Sequence, residues 1–196
     1  MLKMVSKKSL LLFGVVLALA AFVLPSVASA AGFEPVGTGT IDSGNLGFSV
    51  PAINSGLFCT SSQFHMQVHS TTVATITASR IANCHGSVGA SVGCTTTWTG
   101  TGFPWVATAE STHNIIIHNV NIHVVFETTP GTLNECANTG LTLRLTGSLA
   151  LQYTAAAHTF DFTSGSTFVG HFPGPATFPL VLFGSLTPTG ALRVID

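Results

Sequence analysis

The fold is decided by LTLRLTGSLAL, residues 141–151, in which apolar and polar side chains alternate. A period of two is the pattern of a β-strand that buries one face and exposes the other. The leucines would therefore point into a core, and the side chains between them would point toward solvent. The predicted inward residues are Leu141, Leu143, Leu145, Leu149 and Leu151, and the predicted outward residues are Thr142, Arg144, Thr146 and Ser148.

The same alternation recurs in other segments, and no segment after residue 30 keeps a helical period. In 116–126 the even positions, beginning with Ile116, form the apolar side. Clusters of Gly, Pro, Asn and Ser separate the segments roughly every 10–15 residues, which is the rhythm of a sandwich or barrel. The sequence predicts an all-β fold, a single disulfide-bridged antiparallel β-sandwich or open barrel. The further alternating segments are 63–69, 94–101, 116–126 and 158–163.

Turn residues interrupt the predicted strands at four places. Residues 42–45 (DSGN) would separate two short strands, and 85–93 would form a glycine-rich loop between two cysteines. The Pro-Gly pair in 128–131 suits a type II turn. Residues 165–179, rich in Gly, Pro and Phe, would form a long loop or an irregular edge strand.

The first 30 residues have the three parts of an export signal. Lysines precede an apolar run at 10–24, and the small residues of 28–30 (ASA) suit a signal peptidase. The apolar run is too short for a good membrane span. We therefore expect a signal peptide at 1–30 and a secreted, extracellular all-β domain at 31–196.

Cleavage after residue 30 would leave a chain without lysine. Its basic residues would be Arg80, Arg144 and Arg193, which against seven acidic residues give a formal net charge of −4. Phosphate backbones and anionic lipid headgroups need clustered Lys or Arg, so we expect no nucleic-acid partner. No second apolar segment has spanning length, so we expect no transmembrane helix after signal cleavage.

Cys59, Cys84, Cys94 and Cys136 are the four cysteines, and all would remain after cleavage. An even number in an exported chain implies disulfides, and four cysteines allow three pairings. The pairing Cys59–Cys84 with Cys94–Cys136 is preferred, because each bond links segments that plausible hairpins bring together. A zinc site is the alternative, but no C-x-x-C spacing supports it.

The eight histidines are candidate metal ligands. Two ligands on one strand face lie close together at i and i+2, whereas His65 and His69 are four residues apart, about 13 Å along a strand. Successive members of the set His113, His118 and His123 would point to opposite faces. We expect no metal site and no cofactor, with a site assembled across strands as the alternative. The histidines expected in the core with a hydrogen-bond partner are His118 and His158.

No motif predicts catalysis. The carboxylates are isolated, and no G-x-S-x-G elbow is present, so no catalytic residue is expected. A secreted hydrolase remains an alternative if Asp161 or Glu110 meets a histidine and a serine in one cleft. A glycan-binding, lectin-like module is another if Trp98 or Trp105 lies exposed in a groove.

Phenylalanines are concentrated in the C-terminal third. Phe160 and Phe162 follow the strand alternation and are expected in the core. Phe168, Phe172 and Phe178 lie among glycines and prolines, where a loop could expose them. We expect these three to be surface-contact residues for a hydrophobic or cell-surface partner.

The order of these features resembles a known group of proteins. An export signal precedes a strand entering Cys59-Thr60-Ser61, and Cys84 precedes a short glycine loop. A strand then ends at Gly102-Phe103-Pro104-Trp105, before a lone later cysteine. The chain resembles small secreted all-β bacterial proteins of the actinobacterial type, mostly uncharacterised, and is loosely similar to secreted activators of alkane oxidation. The resemblance implies an extracellular, non-enzymatic protein that aids contact with hydrophobic material.

Overall fold

The computed structural model describes residues 31–51, 54–88, 92–111, 113–129, 136–173 and 177–195. These segments are almost entirely β-strand, and every strand pairing among them is antiparallel. The predicted all-β fold class is therefore confirmed. The predicted signal peptide at 1–30 lies outside the described residues. No helix within these segments has the length and apolar character needed to span a membrane.

The strands follow one another with short connections. In chain order they are β1 Gly32–Glu34, β2 Gly37–Val50, β3 Ser55–Val68, β4 Val73–Val88, β5 Cys94–Gly100, β6 Trp105–Ser111, β7 Asn114–Thr128, β8 Thr142–Thr154, β9 Thr159–Phe162, β10 Val169–His171, β11 Thr177–Pro179, β12 Val181–Pro188 and β13 Arg193–Ile195.

The main sheet curls into a ring, because its pairings return to the strand where they began. From β2 the partners run through β3 and β4 to β5 and β6, which lie in tandem between β4 and β7. They continue through β8 and β9 to β12, which pairs with β2. Strand β10 also pairs with β8, and β11 pairs with β10. This arrangement is nearer to the barrel alternative than to a sandwich of two separate sheets.

The interior of the ring is filled by side chains from alternate positions. The inward leucines predicted in 141–151 are buried, except Leu141, which is half-buried against the core. Trp105 is fully buried at the start of β6, and its Nε1 donates to the carbonyl oxygen of Thr101 at 2.8 Å. The ring of Phe103 stacks on it, with centroids 4.5 Å apart. The break between β5 and β6 thus anchors a large aromatic side chain in the core.

Because β7 contains a bulge, burial in 116–126 differs from the predicted alternation. The pairing with β8 shifts between Ile117 and Val120, where Asn119 has a φ of 58°. One extra residue moves all side chains beyond it to the other face. The buried set therefore changes from odd positions before the bulge to even positions after it. Ile116 and His118 are half-buried on the outer side, so the expectation that they face the core was wrong.

Two predicted loops are instead parts of strands. Residues 42–45 lie within β2, where the register with β12 shifts by one residue, so they form a bulge and not a turn. Strand β4 continues to Val88, which shortens the predicted loop at 85–93. Residues 165–179 contain β10 and β11, with β11 at the sheet edge, in agreement with the edge-strand alternative. The Pro-Gly pair of 128–131 lies outside the described residues.

Both disulfides have the preferred pairing. Cys59 and Cys84 are cross-strand partners on β3 and β4, with Cα atoms 3.9 Å apart. Cys94 at the start of β5 is bonded to Cys136, which precedes β8, with Cα atoms 4.7 Å apart. The first bond joins strands that are already neighbours, whereas the second links the connection before β8 to the start of β5.

Candidate functional site: an exposed apolar strip

Two phenylalanine rings lie on the outer face of the ring, across strands β12, β2 and β3. Phe183 is directly opposite Gly47, and Gly47 is directly opposite Phe58. Phe183 is 42% exposed and Phe58 is half-buried. Their centroids are 6.4 Å apart and their planes differ by 19°. The two rings form a stacked aromatic pair that remains open to solvent.

The glycine between the rings makes this arrangement sterically feasible. A Cβ atom at Gly47 would lie 2.3 Å from Cζ of Phe183, so any side chain there would displace the ring. Phe183 therefore lies against the backbone of β2 and close to the ring of Phe58. A cross-strand glycine of this kind marks a place where another group approaches the backbone closely.

Val181 extends the apolar area along β12. Its side chain is 54% exposed, and its cross-strand partner is Ser49. The next partner across the sheet from Ser49 is Gly56. Because both partners are small, Val181 stands above its surroundings. We call Phe58, Val181 and Phe183 the apolar strip.

Local alternation could have revealed the apolar strip. In VLFGSLTP, residues 181–188, Leu186 is buried and Leu182 is half-buried, which puts Val181 and Phe183 on the opposite, outer face. The position of Phe58 between buried Leu57 and Cys59 carries the same signal. What sequence could not show is that the two phenylalanines meet across β2.

The three phenylalanines predicted to be surface-contact residues lie elsewhere. Phe168 is 2% exposed and Phe178 is 7% exposed, so the expectation that they are exposed was wrong. Phe178 lies over its cross-strand partner Gly170, where a Cβ atom would be 2.2 Å from Cζ of the ring. Phe172 is half-buried and packs against Phe178 at a centroid distance of 4.7 Å. The glycine lets the ring fit inside the sheet, so a segment of irregular composition still contributes to the core.

A second candidate site is an open cavity of about 900 Å³ at one end of the ring, beside the small sheet formed by β1 and β13. Buried Phe33 and Tyr153 line it, together with His158, whose Nδ1 lies 2.9 Å from the Tyr153 hydroxyl. Arg193 and Glu34 form an ion pair at 3.0 Å on its rim. The two opposite charges of this pair offset each other, and most of the cavity lining is apolar.

One comparison with known proteins gives a match. A family model described as alkane oxidation protein activator PraA/PraB-like matches residues 5–178. The chain belongs to this family. The match includes all four cysteines and Phe58 of the apolar strip, whereas Val181 and Phe183 follow the matched residues. No curated protein and no solved structure matches the chain.

The membership confirms the resemblance to activators of alkane oxidation. The two tryptophans of this chain are structural residues of the core. Trp98 is 7% exposed, and its Nε1 donates to Thr96 Oγ1 at 2.8 Å. Trp105 is fully buried. A lectin-like site would need one of these rings exposed and flat in a groove. Neither ring is available for that role.

Hydroxyl groups surround the two carboxylates named in the hydrolase alternative. Asp161 accepts hydrogen bonds from Thr154, Thr159 and Ser185. Thr108 Oγ1 donates to Glu110 Oε1 at 2.6 Å and lies 3.0 Å from His118 Nε2. In a catalytic triad the histidine lies between the acid and the hydroxyl, so that it can take the hydroxyl proton. Here the hydroxyl lies between the acid and the histidine, and its proton is already given to the carboxylate.

The two histidines expected in the core have the expected partners but are only half-buried. His118 contacts Thr108, and His158 contacts Tyr153. Within the described residues, no group of three or more His, Cys, Asp or Glu side chains is placed to hold a metal ion.

Proposed function

We propose that this protein is a secreted, non-enzymatic accessory protein that binds hydrophobic material, such as an alkane surface, through the apolar strip. The supporting observation is the stacked pair of rings, in which Phe183 keeps 42% of its surface exposed beside Phe58. An alkane has no hydrogen-bonding group, so a protein can recognise it only by removing apolar area from water. An exposed aromatic pair next to an exposed valine is suited to that contact.

The low charge of the chain supports adsorption. Only 7% of the residues are charged. Few hydrated ionised side chains therefore have to lose water when the protein approaches an apolar surface. Most outward positions near the strip carry small or hydroxyl-bearing residues, such as Ser49 and Ser185. The strip therefore differs in chemistry from its surroundings.

Export of the protein is supported by two features. Residues 1–30 have the composition of a signal peptide, and two disulfides join the four cysteines. Disulfides persist in oxidising compartments outside the cytosol. An exported protein would encounter alkanes outside the cell, before they are taken up.

A non-enzymatic role agrees with the family description, which names an activator of alkane oxidation and not an oxidising enzyme. Such a protein would act by bringing hydrocarbon and cell, or hydrocarbon and enzyme, into contact. That role needs an adhesive surface, and it does not need a catalytic cleft.

The test is adsorption of the mature protein to hexadecane droplets, measured by its depletion from the aqueous phase. Replacing Val181 and Phe183 together by serine should weaken adsorption more than about tenfold, since the lost apolar contact is on the order of 2 kcal/mol. The free energy of unfolding should fall by no more than about 2 kcal/mol, because each side chain already has about half of its surface exposed to water.

The matched control is the double replacement of Val36 and Val73 by serine. Both valines are exposed, at 60% and 36%, and neither belongs to the apolar strip. This variant should adsorb like the unchanged protein. Equal loss in both variants, or no loss in either, would show that the strip does not direct adsorption.

A further inference from the structure

A second outward feature crosses the opposite part of the ring. Thr99 on β5, His123 on β7, Arg144 on β8, His171 on β10 and Thr177 on β11 are successive antiparallel partners. Partners of this kind point to the same face, about 4.5–5.5 Å apart at Cβ. Two histidines therefore flank an arginine on adjacent strands. We call these five residues the cationic row.

Arg144 has no carboxylate partner among the hydrogen bonds and ion pairs of the described residues, unlike Arg193, which pairs with Glu34. Its Nε donates to Asn121 Oδ1 at 3.1 Å. The terminal nitrogens of a guanidinium carry four further N–H donors. Arg144 is exposed, so these donors can meet a ligand from solvent.

A hollow of about 330 Å³ lies beside Arg144, at the place where β7 bulges opposite β8. Its lining supplies amide and hydroxyl groups from Asn119, Asn121, Thr146 and Ser148. On its far side, Thr146 Oγ1 lies 2.8 Å from Nε2 of His171, which orients that imidazole. Neutral hydrogen-bonding groups thus surround one permanent positive charge.

Charged groups on the packed strands do not neutralise the row. Strand β5 presents Thr99, and β11 presents Thr177. The nearest carboxylate along β7 is Glu127, four residues from His123, which is about 13 Å along the strand. The row is therefore positively charged within a chain whose expected net charge after cleavage is −4.

We propose that the cationic row binds a carboxylate group, held by Arg144 with His123 and His171 on either side. A planar carboxylate matches the guanidinium fork and can accept two parallel hydrogen bonds. It brings one negative charge to one permanent cation, whereas a phosphate dianion would need more positive charge. The flanking imidazoles add ring N–H groups that can donate to a carboxylate oxygen. The group could belong to an acidic polysaccharide or to a fatty carboxylate.

The test measures binding of two probes, polygalacturonate and octanoate, by titration calorimetry at low ionic strength. Replacing Arg144 by glutamine should weaken binding about tenfold or more, because a charge-assisted bidentate contact is lost. Arg193→Gln is the control, since it removes the same charge from β13, in the separate sheet that β13 forms with β1. Binding of the polymer alone would identify a polysaccharide as the source of the carboxylate, and binding of octanoate alone would identify an amphiphile.

A second arm tests the histidines. Replacing His123 and His171 together by alanine should weaken binding severalfold, because the ring N–H groups on either side of Arg144 are lost. His65→Ala is the control, since His65 lies on β3 outside the row, and this variant should bind like the unchanged protein. Two results would overturn the proposal: neither probe binds, or Arg193→Gln weakens binding as much as Arg144→Gln. Circular dichroism of each variant checks that the fold is unchanged.

Discussion

Two phenylalanine–glycine pairs show how one residue type reaches opposite environments. Phe178 lies over Gly170 inside the ring, and Phe183 lies beside Gly47 on its outer face. In both pairs the missing side chain makes room for an aromatic ring on the neighbouring strand, which also covers a backbone that would otherwise be bare. The position of the phenylalanine along its strand decides which face of the sheet its ring occupies. The glycine on the partner strand provides the space for the ring.

Because the phenylalanine rings differ in burial, we expect their replacement by alanine to destabilise the protein to different extents. Phe168→Ala and Phe178→Ala should each lower the free energy of unfolding by about 3–5 kcal/mol, because each removes a buried ring and leaves a cavity. Phe183→Ala should cost about 1 kcal/mol or less, since much of its ring already contacts water. Urea denaturation followed by tryptophan fluorescence measures all three. Similar costs for Phe168 and Phe183 would contradict their assigned environments.

At the scale of single elements, the bulge of β7 opposite β8 determines which side chains of β7 reach the outer face. Asn119 and Gly147 have positive φ values of 58° and 141° on neighbouring strands. Between them the pairing shifts by one residue. Without that shift, His123 would face the core and the cationic row would not form.

Replacement by alanine should destabilise the protein more at Gly147 than at Gly140, although both glycines have a positive φ. A Cβ atom there would lie 2.2 Å from the carbonyl oxygen of Thr167, so Gly147→Ala forces backbone atoms apart. Gly140, with a φ of 80°, has nothing within 4 Å of its Cβ position. We expect Gly140→Ala to cost about 1 kcal/mol from conformation alone, and Gly147→Ala to cost at least about 2 kcal/mol more. Thermal denaturation of the two variants compares them directly, and equal melting temperatures would refute the steric argument.

At the scale of the whole molecule, the closed ring leaves its main strands paired on both sides, and the disulfides add covalent links. Most of the contacting strands are neighbours in sequence, but β12 returns to β2 from the other end of the chain. That pairing closes the ring and creates the apolar strip in the same step. The strip therefore exists only in the complete fold.

Each disulfide should stabilise this fold by restricting the unfolded chain. The sequence separations are 25 and 42 residues, for which chain entropy predicts about 3.5 and about 4 kcal/mol. Replacing Cys94 and Cys136 by alanine should thus cost slightly more than replacing Cys59 and Cys84. Urea denaturation of the two double variants measures both costs. A variant as stable as the unchanged protein would show that its disulfide does not restrict the unfolded state.

The sequence by itself determined the properties that depend on neighbouring residues. Alternation in 141–151 predicted a strand with the correct inward face, because a period of two is a local consequence of the β backbone. Cysteine parity predicted disulfides, and the scarcity of lysine and arginine argued against a nucleic-acid partner. These inferences need no knowledge of which strands pair.

Only the tertiary structure decided where distant residues meet. The bulge at Asn119 reversed the faces predicted for Ile116 and His118, and the packing of Phe178 over Gly170 put an apparently exposed ring in the core. Likewise, Phe183 meets Phe58 only because β12 and β3 both pair with β2. Register between strands is set by partners far apart in the chain, and a pattern within one strand carries no information about its partner.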